Sequence, residues 1–163
     1  MNSFKKILVV YFSHSGNTRE IARQIQEATG ADVFEIVPVV PYPTDYNAVV
    51  DQAKHELRTE YRPILKSNGP DPKAFDAIFV GSPNWWSTIA PPVMTWLSAH
   101  DLSGKTIVPF ITHEGSRQAK SVQDVKRLSP GATLLDGRAF WGSDVNNSRE
   151  DIQRWLREIK LLS

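Results

Sequence analysis

An open parallel α/β sheet covered by helices on both faces is the fold this sequence predicts: a three-layer α-β-α sandwich of five parallel strands. Three observations predict it. Segments with the apolar continuity of a strand buried on both faces recur along the chain, beginning with Ile7-Leu8-Val9-Val10-Tyr11-Phe12. A segment with apolar residues at helical spacing follows each of them, so strand and helix alternate without a repeat or a linker. Small polar loops leave the carboxyl ends of the first, third and fourth strands. They converge on one site, the place where such sheets bind ligands, if those strands are neighbours in the order 2-1-3-4-5.

Each element has its own warrant. After the first strand, Ile21, Ala22, Ile25 and Ala28 mark a helix that Thr29-Gly30 stops. Val33 to Val37 is the second strand. Pro38, Pro41 and Pro43 then forbid regular pairing and force a stiff loop. Tyr46, Val49, Val50, Ala53 and Leu57 give a second helix with Asp45 as its cap, and Arg58 to Pro72 reads as a polar surface connection. Ala77 to Gly81 is the third strand, and Ser82 to Thr88 the loop after it. Pro91 and Pro92 suit the first turn of a helix carrying Val93, Trp96 and Leu97. Lys105 to Ile111 is the fourth strand, and Val122, Val125 and Leu128 a helix stopped near Pro130-Gly131. A short strand falls within Ala132 to Trp141, interrupted near Asp136-Gly137. The last helix carries Ile152, Trp155, Leu156 and Ile159, with Asn147 or Ser148 as cap.

Composition narrows the function. The 163 residues suit one domain, residues 1–163, and the net charge of +1 supplies no strong field for nucleic acid. With no cysteine there are no disulfides, thiolate metal sites or cysteine nucleophiles. Lys5 and Lys6 precede a short apolar run that superficially resembles a signal peptide, but the run is too short and no cleavage site follows. No stretch approaches the roughly 20 apolar residues of a membrane span. The expectation is a cytoplasmic protein.

The first loop carries the strongest chemical signal. Ser13, His14, Ser15, Gly16, Asn17 and Thr18 combine three hydroxyls, an amide and a glycine with no lysine or arginine. A helix N-terminus behind them presents free N–H groups and a positive dipole end, so the loop reads as an anion site. The plain alternative is a polar turn with Thr18 as helix cap. The pattern matches neither G-x-x-x-x-G-K-[ST] nor G-x-G-x-x-G, which removes the triphosphate and dinucleotide loops. A phosphate held by N–H and hydroxyl donors alone suits a mononucleotide. The third strand ends in Gly81-Ser82 rather than aspartate, the four histidines lack metal-ligand spacing, and no G-x-S-x-G elbow exists.

Ser13-x-Ser15-Gly16-x-Thr18 after an apolar strand resembles the phosphate loop of the flavodoxin family. Gly81-Ser82-Pro83-Asn84-Trp85-Trp86, Thr112-His113-Glu114-Gly115-Ser116 and Tyr42-Pro43-Thr44-Asp45-Tyr46 are similar to loops of a flavodoxin-like subgroup. The resemblance spans the chain and is to the short type, without a long insertion in the fifth strand. It implies the cofactor FMN, with its phosphate at Ser13–Thr18. The isoalloxazine would lie between Pro83, Asn84, Trp85 and Trp86 on one side and Thr112, His113, Glu114, Gly115 and Ser116 on the other. The residue types agree with this. Tryptophans in the loop at the switch point offer stacking surfaces to a flat apolar ring. His113 suits stacking or donation to a carbonyl edge, with a solvated loop histidine as the plain alternative. Glu114 near a flavin would disfavour its anionic reduced form by like-charge repulsion, with an exposed carboxylate as the alternative. Tyr46 either closes the pocket or anchors the second helix.

Three functions follow from the resemblance. The first is an electron carrier between redox partners. The second is an NAD(P)H-dependent reductase of small acceptors such as quinones. The third is an interaction module that no longer binds flavin. Carrier flavodoxins are typically acidic, and this chain is not. Their loop beside flavin N5 often holds a glycine whose peptide flips, whereas Pro83 to Ser87 has none. A flip to positive φ is therefore costly, and the one-electron-reduced flavin is expected to be weakly stabilised.

Overall fold

The apolar run that opens the chain forms strand β1, Ile7–Tyr11, in which every residue is buried. The computed structural model describes residues 6–162, so Lys5 lies outside the described residues. Strand β2 is Asp32–Glu35, and β3 is Ala77–Trp85. The two-residue β4, Thr88–Ile89, pairs antiparallel with the end of β3. Strand β5 is Thr106–His113, β6 is Thr133–Leu134 and β7 is Arg138–Trp141. The sheet runs β2-β1-β3-β5 with parallel pairing, and both β6 and β7 lie beyond β5. The five expected strands therefore stand in the expected order.

Strand alternation divides the core between two faces. Leu8, Val10, Ile78, Val80, Ile107 and Ile111 point to one side. They meet Val49 of α2 (Tyr46–Arg58), Val93 and Trp96 of α3 (Pro91–Ala99) and Val125 of α4 (Ser121–Arg127). Val9, Phe79, Val108 and Phe110 point to the other side. There they meet Ile21 and Ile25 of α1 (Asn17–Thr29) and Ile152 and Trp155 of α5 (Arg149–Glu158). This is the three-layer sandwich. The helix ends follow local chemistry. Gly30, at φ 73°, closes α1 in the left-handed conformation that glycine adopts without strain. Asp45 caps α2 by accepting the Ala48 N–H at 3.0 Å. Ser148 holds the cap position of α5, but its hydroxyl donates instead to the Asp144 carbonyl in the short 3₁₀ helix Gly142–Asn147 just before it.

The loops after the third and fourth strands depart from expectation. Pro83, Asn84 and Trp85 belong to β3, and Thr112 and His113 belong to β5. The two extensions support each other, because Pro83 stands in register with Thr112. Trp86 and Ser87 are the whole turn between β3 and β4, at φ 52° and 71°. Positive φ at both central residues is what a tight two-residue hairpin needs to match the strand twist. The hairpin thus already has the backbone geometry that its lack of glycine was expected to discourage.

The fifth strand is broken where expected, and Pro109 explains the break. The Ile107 carbonyl accepts the Leu135 N–H at 3.0 Å, so alternate residues of β5 face this neighbour. Two residues on, Pro109 has no N–H to offer. Gly137 packs there so closely that a Cβ would stand 2.5 Å from the Pro109 carbonyl oxygen. Pairing resumes at Phe110 with Arg138. At the opposite edge the proline-rich loop does pair. Pro38 bridges Leu65, with Val39 N–H donating to the Ile64 carbonyl and Lys66 N–H to the Val37 carbonyl, both at 2.8 Å. The bonds fall on Val37 and Val39, and Pro38 between them gives none.

Candidate functional site

The N-terminus of α1 is built by Ser13. Its Oγ accepts the N–H groups of Gly16 at 3.1 Å and Arg19 at 3.2 Å, so the hydroxyl hydrogen remains available. Gly16 sits at φ 99°, a conformation that turns the chain from strand into helix and that a side chain would strain. Of the first-turn N–H groups that a helix leaves free, those of Gly16 and Arg19 are thereby used, and those of Asn17 and Thr18 are left. The guanidinium of Arg19 is drawn away to Glu35 at 2.6 Å. The end of the helix thus offers donors and a positive dipole without a free cation.

Thr18 is not a cap. It is buried, and its hydroxyl shares a 2.8 Å hydrogen bond with that of Thr112, which joins the first loop to the end of β5. His14 reaches the other way, donating from Nε2 to the Pro43 carbonyl at 2.9 Å. The three loops expected to meet therefore do meet. They enclose a cavity of about 680 Å³ lined by His14, Ser15, Asn17, Pro83, Asn84, Trp85, Trp86, Thr112, His113, Glu114 and Ser116. Ser13, Gly16, Thr18 and Gly115 stand beside it rather than on its wall, the first three at the N-terminus of α1 and the last just after β5. A further wall, formed by Thr44, Val49, Val50 and Ala53, lies outside the expected site residues. Val49 and Ala53, one turn apart, are buried like an ordinary core-facing pair, so the spacing carries no separate signal of a cavity. Tyr46 is 76% exposed and lines the cavity, so it does not anchor α2 in the core.

The two tryptophans differ. Trp85 is partly buried and gripped edge-on by Tyr42, Phe12 and His14, with ring centroids 5.1, 5.5 and 5.8 Å away. Trp86 is half exposed, its indole N–H donating to the Val50 carbonyl at 2.9 Å. The Lys120 N–H donates to the Ser87 carbonyl and the Asn84 amide to the Arg117 carbonyl, so the hairpin is tied to its surroundings on both sides. Asn84 Oδ1 is buried and has no hydrogen-bond partner among the described residues. A buried acceptor without a donor is costly, and a ring N–H placed in the cavity relieves it.

His113 is buried, and its Nδ1 accepts the Gly115 N–H at 2.9 Å, which leaves the neutral ring's proton on Nε2. Burial, then the nearby Arg117, hold its pKa below the usual histidine value, against a smaller opposing pull from Glu114. Above the unfolded histidine's pKa near 6.5 both states are neutral. As pH falls through that value, the unfolded chain takes up the proton first, so stability falls until the folded ring is protonated too. Protonation also turns Nδ1 into a donor and breaks its bond to Gly115. Melting temperature is expected to drop between pH 7 and pH 5, and a His113→Gln variant to lose most of that slope in thermal melts.

Glu114 is the one carboxylate on the cavity wall, and no lysine or arginine lines it among the described residues. Its carboxylate and the Asn17 side-chain amide both press on Gly142, where a Cβ would collide with them. The donor set and the aromatic wall suit an anionic, planar organic ligand. No helix of the described residues is long and apolar enough to cross a membrane.

Comparison with known proteins places this geometry. Residues 6–159 match the family model described as flavodoxin. No curated protein sequence matches the chain. A candidate flavoprotein from Bacteroides eggerthii, solved by crystallography, is 32% identical over 94% of this chain and 97% of its own, with a TM-score of 0.83. A flavoprotein from Lactobacillus acidophilus in complex with FMN is 24% identical over 88% of this chain and 97% of its own (TM-score 0.70). A flavodoxin from Fusobacterium nucleatum bound to flavin mononucleotide is 13% identical over 96% and 97% (TM-score 0.61). The last two carry the likeness of fold alone.

Proposed function

Because the chain belongs to the flavodoxin family, we propose that it binds FMN and passes electrons between redox partners. One observation carries the reading: a cation-free helix N-terminus with free donors opens into the same cavity as an aromatic wall and an unpartnered buried acceptor. In this reading the N–H groups of Asn17 and Thr18 and the hydroxyls of Ser13, Ser15 and Thr18 hold the phosphate. Trp85 and Trp86 cover the ring, Asn84 Oδ1 accepts a ring N–H, and His113 Nε2–H donates to a carbonyl edge. The bound flavin would supply reversible one- and two-electron chemistry, and the protein its position and potential.

The second reading, an NAD(P)H-dependent reductase of quinones, is favoured by the hairpin. Trp86 and Ser87 already sit at positive φ and are tied down by Lys120 and Val50, so little backbone change is left to respond to a single electron. A potentiometric titration of the FMN-loaded protein is expected to give one two-electron wave, and two resolved waves would remove this argument. Titrating the FMN-free protein with FMN tests both readings at their root. Saturable binding with quenched tryptophan fluorescence is expected, and its absence leaves only the interaction module. Oxidation of NADPH with a quinone as acceptor then separates reductase from carrier.

A further inference from the structure

Trp86 is shared by two concavities. One is the cavity above. On its other side lies a cleft of about 400 Å³, also lined by Lys54, Arg58, Arg62, Lys120 and Arg127. Five cations in one cleft stand out in a chain whose net charge is +1. Among the described residues only two carboxylates, Glu60 and Asp124, share it, and Asp124 is already engaged by Thr88 and by Arg127 at 3.3 Å. The Lys54 ammonium stands 5.3 Å from the centre of the Trp86 ring. No carboxylate partner is recorded for Arg58, Arg62 or Lys120 among the described residues. Leu57 and Met94 add apolar surface to the same cleft.

Unneutralised cations around a half-exposed indole make a surface that attracts negative charge over a Debye length and holds an apolar contact at close range. We propose that this cleft docks the acidic surface of a redox partner protein against Trp86, beside the cofactor cavity; the inference rests on the electron-carrier reading. The chain's face would then have the opposite sign to the acidic docking faces typical of carrier flavodoxins. It explains how a carrier of nearly neutral bulk charge can still steer a partner: the charge is local, gathered from α2, the segment after it, and α4.

Calorimetric titration of the FMN-loaded protein tests it, with an acidic plant-type ferredoxin and the basic cytochrome c as probes. Ferredoxin is expected to bind at low salt and be released at high salt, and cytochrome c to bind more weakly. Arg58→Glu with Lys120→Glu should weaken ferredoxin binding at least about tenfold. Arg157→Glu with Lys160→Glu makes the same change in net charge on or next to α5, which packs on the opposite face of the sheet, and should cost less than about twofold. Equal losses from the two pairs, or a preference for cytochrome c, overturn the proposal. So does NADPH binding that the cleft pair abolishes while ferredoxin does not bind, which makes the cleft a small-molecule site. Ferredoxin that binds in the cleft but exchanges no electrons with the photoreduced protein leaves the surface standing and removes the carrier reading instead.

Discussion

Gly81→Ala is expected to destabilise the protein by about 1–3 kcal/mol, and Gly81→Val to leave little folded protein. Gly81 lies in β3 directly in register with Phe110 of β5. The Phe110 ring lies over the glycine's backbone, with its Cε1 only 2.7 Å from where a Cβ would stand and other ring atoms closer. Phe110 is fully buried, so the ring has nowhere to swing. The strand cannot slide either, because the Gly81 carbonyl accepts the Phe12 N–H at 3.1 Å. Strain must therefore pass up β3 into Pro83, Asn84 and Trp85, which line the cavity. Thermal melts followed by circular dichroism should show the loss, and FMN affinity should fall with it. A Gly81→Ala protein with unchanged melting temperature would mean that Phe110 is free to repack.

Thr18→Val is expected to weaken FMN binding by about 1.5–3 kcal/mol, roughly 10- to 150-fold, because a hydrogen bond to a charged phosphate is lost from a buried position. The substitution keeps shape but removes the hydroxyl that meets Thr112 at 2.8 Å. It leaves the Thr112 hydroxyl buried and unpaired, so stability also falls. The double variant with Thr112→Val separates the two effects. If Thr18 serves only its partner, the second substitution restores stability and FMN affinity together. If Thr18 holds phosphate, stability recovers and affinity does not. Fluorescence titration with FMN, paired with melts of the FMN-free proteins, reads both quantities.

The two-sided strands of the sheet were legible because continuous apolar runs such as Ile7–Tyr11 and Ala77–Val80 have no alternative once helices flank them. The convergence of three loops was legible because topology fixes where carboxyl ends of neighbouring strands lie. Strand ends were not. Pro83 and Asn84 look like loop residues, yet the partner strand's own extension to His113 gives them something to pair with, and that is a property of two segments together. Ser13 and Thr18 show the same limit within the site. Both residue types suit ligand donation, but their spacing does not show the bonds they also make inside the protein. The Ser13 oxygen accepts two N–H groups of its own loop, and the Thr18 hydroxyl meets Thr112, far along the chain. The wall contributed by α2 is not legible, because amphipathic spacing tells which side of a helix faces the core and says nothing about a second side facing a cavity.

The break opposite Pro109 has a consequence for the protein in crowded solution. A long free sheet edge is a template on which a passing extended chain can add itself. Beyond β5 the outermost strands are the two residues of β6 and the four of β7, separated by residues 135–137, which belong to neither, and followed at once by a 3₁₀ turn. Neither run holds enough consecutive free amides to seat an incoming strand. By spoiling its own pairing, one proline inside the sheet guards the neighbouring margin against fibril-like growth.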